Sequence, residues 1–126
     1  MRFLVTIKPN QAEVSRHEAG NFPEDFRQSL PKMGTFNQTL INDGMLVEMG
    51  GLKPTSEGVR IDFSGAKPTV TDGPFTETKE LIVGFWLLEA PSMNVLVERL
   101  TQSPFTNRQS IEIRPLFSRE EIQRFL

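Results

Sequence analysis

The stretch from Leu81 to Ala90 constrains the fold more than any other part of this chain. Ile82, Val83, Phe85, Trp86, Leu87 and Leu88 follow one another with almost no polar interruption. A strand with one wet face alternates apolar and polar residues; this one does not, so burial on both faces is expected. At 126 residues the chain is one domain, residues 1–126, with room for a single core. Its helices can cover one face of a sheet, and the simplest cover for the other is an identical subunit. A central strand in a homodimer is therefore expected. Thr71-Asp72-Gly73-Pro74 leads into it as a sharp turn with an acid on its leading edge, followed by Phe75-Thr76-Glu77-Thr78-Lys79-Glu80.

The remaining elements are read from periodicity and punctuation. Phe3 to Ile7 is a β-branched and apolar strand that stops at Lys8-Pro9. Residues 9–22 lack periodicity and read as a polar loop holding the chain's one histidine, His17. Pro23-Glu24-Asp25 opens a helix, with Phe26, Leu30, Met33, Phe36, Leu40 and Ile41 at mostly helical spacing. Pro31 should kink it or split off a longer helix from Lys32 to Asp43, which Gly44 would cap.

Met45 to Met49 reads as a strand broken by Gly50-Gly51. Val59, Ile61 and Phe63 alternate with Arg60 and Asp62, predicting a strand with those three facing inward and a hairpin partner over Pro68 to Thr71. Gly84 marks a bulge or a close backbone approach. Ser92 caps a helix through Gln102 whose core side is Val95, Leu96 and Leu100. Ile111 and Ile113 face inward from a last strand. Ser118-Arg119-Glu120-Glu121 is a capping box, with Phe117 and Ile122 at staple spacing, opening a short helix whose Ile122, Phe125 and Leu126 need an apolar dock. Two βαβ-like halves in this order predict an α+β fold: a ferredoxin-like antiparallel sheet with helices on one face.

Composition excludes several functions. Net charge is −2 with scattered Lys and Arg, which gives no electrostatic basis for binding nucleic acid. With no cysteine, one histidine and no acidic cluster at ligand spacing, no metal site and no cofactor are expected. No Gly-rich loop opens a helix to cradle phosphate. The apolar stretch at the N-terminus is too short for a signal peptide or a membrane span, so cytoplasmic residence without a membrane partner is the expectation.

Asp72-Gly73-Pro74-Phe75-Thr76-Glu77-Thr78-Lys79-Glu80, followed by Gly84-Phe85-Trp86, resembles the signature of the YCII-related family in its DGPF subgroup. Glu18-Ala19-Gly20, Asn42-Asp43-Gly44, Gly51-Leu52-Lys53-Pro54 and Glu112-Ile113-Arg114-Pro115 extend the likeness over nearly the whole chain. The resemblance implies a ferredoxin-like protomer, a homodimer of the dimeric α/β barrel type and a cleft near the dimer interface. Some relatives are thought to use a histidine–aspartate dyad, with the histidine just after the proline that opens the first helix. Here that place, after Pro23, holds Glu24 and Asp25, so the dyad does not carry over. Phe36 stands where relatives often have tyrosine, and Lys53 where they often have histidine; the chain has no tyrosine at all.

The candidate chemistry centres on the turn. Asp72, at a strand end beside a cleft, has the right group for a general base, although Asp before Gly-Pro commonly serves the turn itself. Phe75 borders the expected cleft. In an extended segment Glu77 and Lys79 share one face and Glu80 takes the other, a set suited to a polar ligand or to a surface ion pair. Arg114 is placed to clamp a carboxylate, or to pair with Asp62 or Glu48 across the sheet. His17 has a side chain usable as an acid or base, or is simply solvated. The first expectation is a homodimer binding a small polar or anionic molecule near its interface. A lyase or isomerase with Asp72 as base, and a non-enzymatic interaction module linked to stress or transcription control, are the alternatives.

Overall fold

The computed structural model describes residues 1–20, 24–75, 81–105 and 109–126, and of residues 11, 12 and 24–26 the backbone alone. In chain order the elements are β1 (Arg2–Lys8), α1 (Gln11–Glu18), α2 (Glu24–Asn42), β2 (Leu46–Gly51), a 3₁₀ turn (Thr55–Glu57), β3 (Val59–Asp62), β4 (Thr69–Asp72), β5 (Gly84–Glu89), α3 (Met93–Leu100), β6 (Ser110–Pro115) and α4 (Arg119–Gln123). The main sheet has the order β2-β5-β1-β6, with every neighbouring pair antiparallel. Setting aside the separate β3–β4 hairpin, this is the ferredoxin-like order, with β1 and β5 at the centre.

Register assigns the two faces. Phe3, Val5 and Ile7 of β1 lie opposite Leu88, Trp86 and Gly84 of β5 on one side and Pro115, Ile113 and Ile111 of β6 on the other. This face meets the helices. Phe3, Val5, Trp86, Leu88 and Ala90 form one core with Leu40 of α2 and Leu96 and Leu100 of α3. Fully burying each such side chain is worth about 1.5–3 kcal/mol. Arg99 of α3 donates to the Thr39 carbonyl and pairs with Asp43, tying α3 to the last turn of α2.

β5 is shorter than its apolar run, and its burial alternates. Gly84, Trp86 and Leu88 are buried, whereas Phe85 and Leu87, on the opposite face, are half-buried in the single chain. Pairing nonetheless continues past the strand end, since Val83 N donates to Ile7 O at 2.9 Å.

Four expectations are corrected. Residues 11–18 are helical, not loop: Asn10 Oδ1 accepts from Glu13 N at 2.8 Å while Asn10 Nδ2 donates to Glu13 Oε1 at 2.7 Å. The helix was hidden because Val14, the one buried apolar residue among those described in it, produces no periodicity. Secondly, α2 runs unbroken for 19 residues through Pro31, whose side is exposed, while Met33, Phe36 and Leu40 beyond it anchor the helix to the core. Thirdly, β2 runs through Gly50 and Gly51, which pair with Phe85 and Gly84. Fourthly, Val59, Ile61 and Phe63 are more than half exposed, because β3 and β4 pair only with each other and no described helix lies over them. At α3, likewise, Val95 is exposed while Leu96 and Leu100 are buried.

The C-terminal helix has its capping box: Glu121 N donates to Ser118 Oγ and Ser118 N to Glu121 Oε1, each at 3.1 Å. Its apolar residues do not dock on the described chain. Phe117 and Phe125 remain largely exposed and meet each other edge to face at 6.0 Å.

Two outcomes follow from this packing. Leu40→Ala should lower unfolding free energy by about 2–5 kcal/mol in urea titration, against under about 1 kcal/mol for Val95→Ala. The Ser118 N–H bond holds the Glu121 carboxyl below the usual glutamate range. A depressed folded value means stabilisation that is present above the unfolded value and lost as pH falls through the folded one. NMR shifts of α4 should therefore report fraying on acidification, and Glu121→Gln should flatten that dependence.

Candidate functional site

The structure puts the Asp72-Gly73-Pro74-Phe75 turn to structural use. Gly73 N donates to Gly58 O at 2.9 Å, and a Cβ at position 73 would lie 1.7 Å from the Thr55 carbonyl oxygen. Only glycine fits there. The Gly73-Pro74 peptide is cis. Phe75 N donates to Thr55 Oγ1 at 3.1 Å, and that hydroxyl in turn donates to Glu18 Oε2. Glu18 Oε1 accepts from Thr55 N at 3.0 Å. The Arg60 guanidinium sits 4.1 Å over the Phe75 ring, an attraction of about 0.5–1 kcal/mol where exposed. Thr55 is thus the peg around which the end of α1, the 3₁₀ turn and the hairpin close.

The sequence-derived site residues are not gathered in one place. Asp72 ends β4 opposite Val59, exposed. His17 lies in α1, next to the Glu18 clasp and not in a loop. Arg114 is exposed on β6 opposite Leu4, in a different sheet from Asp72. Its suggested pairing with Glu48 fails on topology, because β6 and β2 are opposite edges about 14 Å apart at strand spacing. Asp62 serves its own hairpin, accepting from Ser64 N at 2.8 Å, a bond that holds its carboxyl below the usual aspartate range. Glu77, Lys79 and Glu80 lie outside the described residues.

A pocket of about 400 Å³ opens elsewhere, between α2 and the helix-side face of the sheet. That size is in the ordinary range for small-molecule sites. Ser29, Leu30, Met33 and Asn37 line it from one side of α2, at helical spacing. Ile7, Met49, Gly51, Gly84 and Trp86 form the floor, and Pro104, Phe105 and Gln109 the far wall. Leu30 and Met49 are partly exposed and mark its rim.

Glycine makes the room. Gly51 and Gly84 face each other in register, so the floor has no side chains at that point. A Cβ on Gly84 would press on Gly50 O at 3.1 Å and Ile7 Cδ1 at 3.3 Å, whereas one on Gly51 would meet nothing within 4 Å. Trp86 supplies the aromatic wall, its ring packed between Phe36 at 5.9 Å and Phe105 at 5.8 Å. Its indole N–H donates to Asn37 Oδ1 at 2.9 Å. None of the described lining residues is ionisable; behind the lining, Gln109 Nε2 donates to Glu13 Oε2 at 3.3 Å. Sequence reading missed this pocket. Its signals were the Gly50-Gly51 pair and Gly84, but a glycine shows as a pocket floor only once strand register brings two together.

Among the described residues no group of three or more His, Cys, Asp or Glu is placed to hold a metal ion, and no helix is long and apolar enough to cross a membrane. The clasp and the pocket are separable by mutation. Gly73→Ala should cost about 4 kcal/mol or more, the upper end for single substitutions, while Asp72→Ala should stay within about 1 kcal/mol. Thermal and urea unfolding of both variants would check this; comparable losses would disprove the assignment of the constraint to Gly73.

Comparison with known proteins bears on the whole fold. The family model for the YCII-related domain matches residues 1–120. An uncharacterized protein of Rhizobium meliloti (strain 1021) is 27% identical over 95 residues, covering 74% of this chain and 77% of that protein. With the family match spanning the ferredoxin-like sheet, its helices and the hairpin, the chain belongs to the YCII-related family.

Proposed function

We propose that this protein is a homodimer of the DGPF subgroup that binds a small molecule in the pocket beneath α2, one per protomer. The observation that carries the binding role is the pocket itself: two opposed glycines, an aromatic wall and a rim open to solvent. This site replaces the Asp72–Lys79 turn as the first place to look for a ligand. A lyase or isomerase with Asp72 as base has less support, since Asp72 is not among the pocket-lining residues.

The dimer reading rests on the other face of the sheet. Leu4, Phe85 and Leu87 lie adjacent in register there, bordered by the Arg2–Glu89 pair, Glu112 and Arg114. Thr6 Oγ1, on the same face, is buried with no hydrogen-bond partner among the described residues. An apolar centre with a charged rim fits sheet-to-sheet packing of two copies, which needs about 800 Å² per partner.

Light scattering should give twice the chain mass at micromolar concentration, and Leu4→Glu with Leu87→Glu should halve it. A monomeric parent would overturn the dimer. For the pocket, the two-ring dye prodan is a suitable uncharged probe, and Trp86, the chain's one tryptophan, reports its arrival by quenching. Gly51→Leu should fill the floor and weaken the dye by tenfold or more with the far-UV spectrum unchanged. Equal binding by parent and variant would overturn the pocket as the site.

A further inference from the structure

Resting on the pocket reading above, we infer that its ligand is an uncharged compound of two or three rings carrying a carbonyl-type acceptor oxygen, which Asn37 recognises through its amino group.

The size comes from volume. An engineered cavity of about 150 Å³ holds one benzene, and this pocket, at about 400 Å³, has room for two or three such rings. The charge follows from the lining. No described lining residue can carry a counter-charge, and a carboxylate brought among Met33, Trp86 and Phe105 would be desolvated without compensation. Glu13, bonded to Gln109 at the far wall, adds repulsion for an anion. An anionic ligand, the first expectation from the charged turn, would need a counter-charge from outside the described lining.

The acceptor follows from the orientation of one amide. An indole N–H can only donate, so Asn37 must present its oxygen to Trp86; the alternative flip would set two donors face to face. The carbonyl end of Asn37 is thereby committed, and its amino group carries no protein hydrogen bond among the described residues. Trp86 is itself buried in contact with the rings of Phe36 and Phe105. What Asn37 offers a ligand is a pair of donors. In a mostly apolar pocket, such a donor discriminates sharply against ligands that leave it unpaired.

Three bicyclic probes separate these elements: 1-tetralone, which has the acceptor, tetralin, which lacks it, and 1-naphthoate, which is charged. The single tryptophan provides one indole N–H cross-peak, so NMR titration reads the site directly. Tetralone should bind severalfold to about tenfold more tightly than tetralin, and naphthoate at least tenfold more weakly than tetralone. Asn37→Asp at pH 8 keeps an acceptor for the indole and removes the donors; the gap between tetralone and tetralin should close or invert. Equal binding of tetralone and tetralin by the parent overturns the acceptor assignment while leaving the pocket, and does not depend on any variant folding. Tightest binding by naphthoate overturns the uncharged class. If no probe moves the indole peak and Gly51→Leu leaves prodan binding intact, the pocket reading fails together with this one.

Discussion

The structure depends most on how Trp86 is held. It lies on a central strand, buried, with an aromatic ring on either side and its one polar atom matched to Asn37. Those contacts join α2, β5 and the segment before β6, three parts of the chain distant in sequence. A buried indole left without an acceptor would cost about 1–3 kcal/mol, so the pairing also sets the rotation of α2 over the sheet. The pocket lies beside this pairing, over the opposed Gly51 and Gly84.

The Asp72-Gly73-Pro74-Phe75 turn is not part of the pocket lining, whereas Gly84 and Trp86, a few residues further on, are. Asp72-Gly73-Pro74-Phe75 closes around Thr55 with Glu18 completing the clasp, and each of these contacts is one that a turn needs to hold its shape. Much of the rest of the pocket comes from residues that attract little notice in a sequence: Gly51, Met33, Met49 and Asn37.

How much could be read beforehand follows from the range of each interaction. The strands, α3 with its Ser92 cap and the capping box at Ser118 were legible because their causes lie within a few residues. The ferredoxin-like order followed from element sequence and short connections. α1 escaped because it is a polar surface helix with one buried side chain among those described, although Asn10 and Glu13 carried its start signal. The inward reading of Val59, Ile61 and Phe63 failed for another reason: alternation reports which residues share a face and says nothing about whether anything covers it. The pairing of Gly51 with Gly84 spans 33 positions, and no local pattern encodes it.

The hairpin that carries those exposed residues has a practical side. Among the described residues β3 and β4 pair only with each other, so each presents an outer edge of backbone donors and acceptors next to an apolar face. A ribbon of that kind is a template on which another extended chain can add. Pro68, just before β4, and the charged Arg60 and Asp62 along β3 are the features that blunt it. Shelf life in concentrated solution should accordingly be governed by this ribbon more than by the global fold, and the residues to guard when handling or redesigning the protein are those at its edges.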